Sequence, residues 1–275
     1  MSVYERPAAV IDPTIDPDRA NAAVRQLTAP QSQPLPLFEV QPSNLATMPG
    51  GLLDTDGQLW TEARIREING ADEEAMAREL RSTLNVAKLM DLILRRTVEA
   101  IGPYDPVPPA VLNKLLVGDR SALILAIRIL TFGSDWEVTD FPCQFCGQTF
   151  GVVIQLDSLD VRKLDNPRDQ EIEVPLRNGH QVTVALMTGD VQLELAGQDR
   201  TLPEETTITI DRCVRRLDGN EVIPPVAQKM GMADRHKIIQ AMAEAQPGPQ
   251  LEEVVTCYSC GKEGKYTLSL IDLFR

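Results

Sequence analysis

"FPCQFCGQTFGVVIQL", residues 141–156, carries two cysteines separated by two residues, then a glycine, then an apolar, strand-like run. Two thiols cannot close a shell around a metal, so the stretch calls for a second half. It comes near the end of the chain, where Cys257 lies 111 positions after Cys146. "WEVTDFPCQFCGQTFGVVIQL" (136–156) and "EEVVTCYSCGKEGKYTLSLIDL" (252–273) share one pattern: strand, C-x-x-C-G, strand. In such a knuckle the glycine permits a tight turn and backbone amides point at the sulfurs. Together the two supply Cys143, Cys146, Cys257 and Cys260, the four thiolates of a tetrahedral structural zinc site, one per chain. The separation exceeds that of a compact zinc ribbon, so a whole subdomain is inserted between the halves. The metal would tie the chain's end to its middle.

Rival chemistries fare worse at these residues. Four cysteines leave no open position for water or substrate, which argues against catalytic zinc. Neither pair opens a helix in a βαβ context, which argues against a thioredoxin-like redox pair. Spacing alone does not separate zinc from an iron–sulfur cluster. The fifth thiol, Cys213 in "TIDRCVRRL", reads as a small buried hydrophobe.

Outward from the knuckles, the chain has 275 residues, with 43% hydrophobic, 24% charged and only 4% aromatic, which predicts an aliphatic core. Forty acids against 27 bases give a net charge of −13. Such a surface repels a phosphate backbone or an anionic membrane, and no basic run offsets it. A zinc-ribbon nucleic-acid binder, the alternative function, would rest on Phe145 and Phe150 of the first knuckle, which has no base, and on Lys262, Lys265 and Tyr258 of the second. No apolar run reaches the length of a transmembrane helix, and "MSVYERPAAVIDP" does not read as a secretory signal. Cysteines paired as C-x-x-C suit a reducing compartment, so synthesis in the cytoplasm is expected.

Residues 1–58 hold eight of the 20 prolines and no sustained period, which predicts a proline-rich extended or disordered arm. Residues 59–142 read as the mainly helical part of the core. "QLWTEARIREI" alternates as a strand, and "NGADEEAMARELRS" has acids in its first helical turn. In "NVAKLMDLILRRTVEAIG", Val86, Met90, Ile93, Leu94, Val98 and Ile101 predict one helix running to Gly102. "VPPAVLNKLL" is a short helix. "VGDRSALILAIRILTFG" is a buried central helix, capped by Asp119 and stopped by Gly133. Residues 143–275 read as a zinc-knuckle α+β part with inserted elements. These are a hairpin at "QEIEVPLRNGHQVTVALM" with a tight Asn178-Gly179 turn, and helices at "TGDVQLELAGQ", "LPEETTITIDRCVRRLDG" and "PPVAQKMGMADRHKIIQAMAEA", the last broken near Gly231. The fold class is therefore α+β: a helical region, then a mixed β/α region stapled by the four-cysteine, zinc-ribbon-like site.

Catalytic side chains are scarce. There are two histidines, His180 beside the hairpin turn and His236 among charges. No P-loop, dinucleotide-binding glycine run or nucleophile elbow occurs. An enzyme is not expected.

"LLVGDRSALILAIRILTFGSDWEVTDFPCQFCG" (115–147) resembles a stretch in baseplate-hub proteins of contractile-tailed phages. There a valine-glycine-aspartate-arginine segment opens an apolar helix that leads through an aromatic strand into a C-x-x-C-G knuckle. The resemblance covers residues 59–165 well and the rest loosely. It implies a component or assembly factor of the baseplate hub, or of a related contractile injection machine. Its partners would be other baseplate, hub or tail proteins, with no nucleic acid, membrane or small-molecule substrate. It also implies partner contacts at Val117, Gly118, Asp119 and Arg120, and a place in the finished virion or injection-particle baseplate.

Overall fold

Leu123, Ile124 and Ile127 have no exposed surface in the computed structural model, which describes residues 44–82, 85–197, 200–270 and 272–274. They belong to the central helix Val117–Phe132, apolar on nearly every side and ended, as its sequence predicts, by Gly133 at φ 86°. A three-stranded antiparallel sheet lies against it, in the order β1 (Asn44–Leu53), β2 (Leu59–Ile65), β3 (Val98–Ile101). Ala46, Met48, Ala63, Ile65, Val98 and Ile101 are buried on one side of this sheet. Helices Gly70–Ser82, Val86–Thr97 and Pro109–Lys114 complete the first core, with Leu89, Leu94 and Leu112 enclosed.

β1 corrects the expected arm, because residues 44–53 are core and not part of an extended tail. Their alternation is broken by a register shift between Thr47 and Leu52, which hides the strand from a period-two reading. Residues 1–43 of that arm lie outside the described residues, and 54–58 form the turn between β1 and β2. Two expected helices are also shorter than read. The first ends at Thr97, whose hydroxyl donates back to the Ile93 carbonyl at 2.8 Å, and Val98–Ile101 then leaves as β3. Leu94, Val98 and Ile101 fit helical spacing, but the β-branched pair is taken by the sheet edge that β2 offers. The second ends at Cys213, and Val214–Leu217 becomes a strand in the same way.

The chain continues through β4 (Asp135–Pro142), β5 (Thr149–Gln155) and β6 (Val161–Arg162) into the inserted part. There β7 (Glu171–Pro175), β8 (Gln181–Ala185), β9 (Val214–Leu217) and β10 (Asn220–Glu221) form a sheet in the order β10-β9-β8-β7. The β7–β8 hairpin is present, but its loop is a 3₁₀ turn over Arg177–Gly179 and not a two-residue turn. Leu176 N–H donates to the His180 carbonyl at 2.7 Å across it. Val174, Val182, Val184 and Val214 pack on helices Leu202–Cys213 and Met232–Ala245 to make a second core. Helix Gly189–Leu195 also belongs to this part. The chain returns through β11 (Gly248–Pro249), paired with β6, to β12 (Glu252–Thr256) and β13 (Glu263–Thr267). No described helix is long and apolar enough to cross a membrane. Architecture is thus mixed, with seven helices and several small sheets among the described residues.

Residues 117–120 sit where these parts meet. Val117 N–H donates to the Met187 carbonyl at 2.9 Å. Gly118 lies so close to the 247–248 backbone that a Cβ there would sit 1.3 Å from the Pro247 carbonyl oxygen. Asp119 is not the helix cap; Leu116 holds that position. Its fully buried carboxylate accepts from Gly50 N–H at 2.7 Å, while Oδ2 has no partner. Burial pushes this carboxyl up to about 6, against the lowering effect of the Gly50 and Gly51 amides.

Arg120 has no exposed surface. It donates to the Leu112 carbonyl at 3.1 Å, to Gln192 Oε1 at 3.2 Å and to Asp91 Oδ1 at 3.3 Å. Burial lowers its pKa and Asp91 opposes the shift. Val117, Gly118, Asp119 and Arg120, expected at a partner contact, here engage groups of their own chain.

Arg120→Ala would open a cavity and leave the Leu112 carbonyl and Gln192 without their donor, while Asp91 keeps Arg95 at 2.7 Å, so urea denaturation should show a loss of about 2–4 kcal/mol. Asp119 contributes in the opposite sense to pairing carboxylates. Its folded-state pKa exceeds the unfolded value of about 3.9, so its contribution is full below about pH 4 and is lost as pH rises through about 6. The two-unit difference corresponds to about 3 kcal/mol. Asp119→Asn should therefore flatten stability between those pH values relative to wild type, as measured by denaturation at a series of pH values.

Candidate metal centre

Each knuckle is built by its backbone. Cys143 N–H donates to the Gln148 carbonyl at 2.9 Å and Gly147 N–H to the Cys143 carbonyl at 3.0 Å. Cys257 N–H to Lys262 (3.0 Å) and Gly261 N–H to Cys257 (2.8 Å) repeat this in the second knuckle. Gly147 and Gly261 adopt φ of 72° and 69°, a left-handed conformation that explains the glycine after each second cysteine. Phe145 N–H points at Cys143 Sγ at 3.4 Å.

The knuckles are far apart in sequence and adjacent in space. All four sulfurs lie within 4.8 Å of one another. Cys143 and Cys260 are 3.7 Å apart, and Cys146 and Cys257 are 3.8 Å apart. A tetrahedron with metal–sulfur bonds of about 2.3 Å has edges of about 3.8 Å, so the set fits a metal ion. Cys143 and Cys257 are buried, Cys146 and Cys260 exposed. The amides of Cys146 and Phe145 bring the Cys143 thiol down to about 6. Gln148 N–H lowers the Cys146 thiol, but burial and the surrounding sulfurs carry it up to about 11. Four thiolates this close repel one another, and a cation is what allows all of them to deprotonate together.

A small core of its own surrounds the site. The hairpins β4–β5 and β12–β13 bring together Phe141, Phe150, Val255 and the two buried cysteines. Tyr266 packs against Phe141 with the ring planes tilted by 59° and the centroids 4.2 Å apart, and its hydroxyl donates to the Pro142 carbonyl at 3.2 Å. Gln144 Nε2 donates to the Lys265 carbonyl at 3.2 Å, a second link between hairpins. The ends of both hairpins re-enter the first core through Ile154, Leu156 and Leu159 and through Leu268, Leu270 and Leu273. Arg128, which the sequence reading passed over, holds this return: it donates to the Leu273 carbonyl and to the Gly133 carbonyl. Its charge inside the apolar run 122–130 of that helix was the available signal.

Cys213 lies elsewhere, buried in the second core with its thiol pushed up to about 11 by burial. His180 is exposed and contacts Asp218 at 2.8 Å. Serine at any of Cys143, Cys146, Cys257 or Cys260 should abolish stoichiometric metal in the purified chain. Cys213→Ser should leave metal content unchanged. Elemental analysis of the five variants decides both.

A family model described as T4 bacteriophage base plate protein matches residues 53–275. That span runs from the end of β1 through both knuckles to the last residue, well beyond the 59–165 segment of clearest resemblance. No curated protein and no solved structure matches the chain. The matched span covers most of the sequence and includes all four clustered cysteines, and on that ground the chain belongs to the T4 bacteriophage base plate protein family.

Proposed function

We propose that this base plate protein is a structural or assembly component of the baseplate hub in a contractile tail or injection machine. It acts by binding other baseplate, hub or tail proteins, without catalytic turnover. The ion in its four-cysteine site is zinc, one per chain, in a structural role. The observation that carries the reading is the family match over residues 53–275, which includes both knuckles. The cysteine set supports it chemically, because four thiolates fill a tetrahedral shell and leave no position for a substrate. The net charge of −13 favours protein partners over nucleic acid. The protein is made in the host cytoplasm and works at the particle's baseplate.

Elemental analysis should give close to one zinc per chain, and stripping the metal with a chelator should unfold the knuckle hairpins. Structural zinc contributes on the order of 10 kcal/mol in small domains, so a metal-free, fully folded wild type would contradict the role. For the biological role, the gene is deleted in its native context and the particles are imaged. Assembled baseplates and sheathed tails should be lost while heads form normally. Infective or injecting particles of normal shape without this chain would overturn the reading.

A further inference from the structure

The inserted part carries an open groove of about 580 Å³ between helices Leu202–Cys213 and Met232–Ala245. Its size falls within the range of about 300–1,000 Å³ typical of binding pockets. Its walls are apolar. Leu202 and Met232 are each 78% exposed, an unusual position for large hydrophobic side chains, and Met230 and Ile239 line the floor. Methionine pairs of this kind adapt their shape to a partner.

The charges at the groove run against those of the whole molecule. On a chain of net charge −13, the ionisable side chains lining it are Arg235 and His236. Arg235 donates to the Pro203 carbonyl and the Thr207 hydroxyl, both neutral, each at 2.8 Å. Among the described residues neither Arg235 nor His236 has a carboxylate partner. The acids beside them are engaged elsewhere: Glu204 accepts from Thr201 in a capping box, and Asp234 accepts from Arg177 N–H. A cation beside an apolar groove, with its own carboxylates turned away, is matched by an apolar segment that brings an acid.

We propose that this groove is the docking site for an amphipathic helical segment of a partner tail protein. The segment lays its apolar face between the two helices and sets a carboxylate against Arg235. The inference rests on the proposed role in tail assembly and names the surface through which it is exercised.

The test uses the full-length chain with a photo-crosslinking residue at position 232, expressed in place of wild type in the native context. Cross-linked peptides are identified by mass spectrometry. The expected product is one segment of a tail or baseplate protein with apolar residues at helical spacing and an Asp or Glu among them. A synthetic peptide of that segment should bind the purified chain, and Met232→Asp and Arg235→Glu should each weaken binding at least tenfold. Met232 is exposed, so Met232→Asp should keep the wild-type melting temperature and metal content, which separates lost binding from lost folding. Replacing the peptide's carboxylate by lysine should restore binding to Arg235→Glu. Cross-links only to a second copy of this chain, no cross-link in particles that assemble, or equal binding by a peptide lacking the carboxylate would overturn the proposal. The two readings fail separately. If gene deletion blocks assembly but Met232→Asp complements it fully, the groove is wrong and the assembly role stands. If deletion leaves particles intact, the assembly role fails whatever the groove binds.

Discussion

A guanidinium with no exposed surface organises the rest of this protein. Removing a charged group from water costs several kcal/mol even after relaxation, and Arg120 offsets that cost only by reaching three separate segments. They are Asp91 on one helix, the Leu112 carbonyl at the end of another, and Gln192 in the inserted part. The flanking residues extend the junction: Asp119 holds the β1 backbone at Gly50, Gly118 admits the 247–248 segment, and Val117 donates to Met187. Four consecutive residues therefore bring together pieces from both sides of the insertion. Hydrophobic burial supplies most of the driving force but is non-directional. The junction restricts how the pieces can be arranged, since any other packing leaves a buried charge unpaired.

Legibility in the sequence followed the range of the forces. The central helix, the β7–β8 hairpin strands and the cysteine set could be read because each depends on local pattern: uniform apolarity, alternation, or C-x-x-C-G. The knuckle glycines were readable for the same reason, as their φ values are demanded by the turn itself. β3 and β9 were not, since Val98 and Val214 continue a helical spacing and become strands only because β2 and β8 present open edges. β1 was hidden by Pro49 and its register shift. Asp119 and Arg120 were singled out, but from one sequence a buried polar pair looks the same as an exposed one. Their roles depend on Gly50 and Gln192, 69 and 72 positions away.

The thiolate cluster and the arginine junction constrain the chain at different levels. The hairpins that form the cluster bury few side chains of their own: Phe141, Phe150, Val255 and two cysteines. So small a core does not hold two hairpins together unaided. Yet each hairpin ends in residues that the first core buries, Leu156 and Leu159 on one side and Leu268 and Leu273 on the other. The core therefore delivers both knuckles to one place, where a cation held by the four sulfurs would lock them.

This order has a consequence for metal binding. The ligands Cys146 and Cys257 are 111 residues apart, and the intervening chain forms a core of its own. Closing so long a loop in an unfolded chain is entropically costly, so the four sulfurs converge only after the flanking segments have packed. Metal affinity for the complete site is then coupled to the folding of the first core, and each stabilises the other by the same free energy. Loosening the Arg120 junction should weaken the metal site although no ligand is touched, because the start of β4 at the Asp135 carbonyl and the C-terminal return at the Leu273 carbonyl are both held by Arg128 of the same helix. A metal bound by these four cysteines would therefore fill the site only in chains whose flanking segments have already packed.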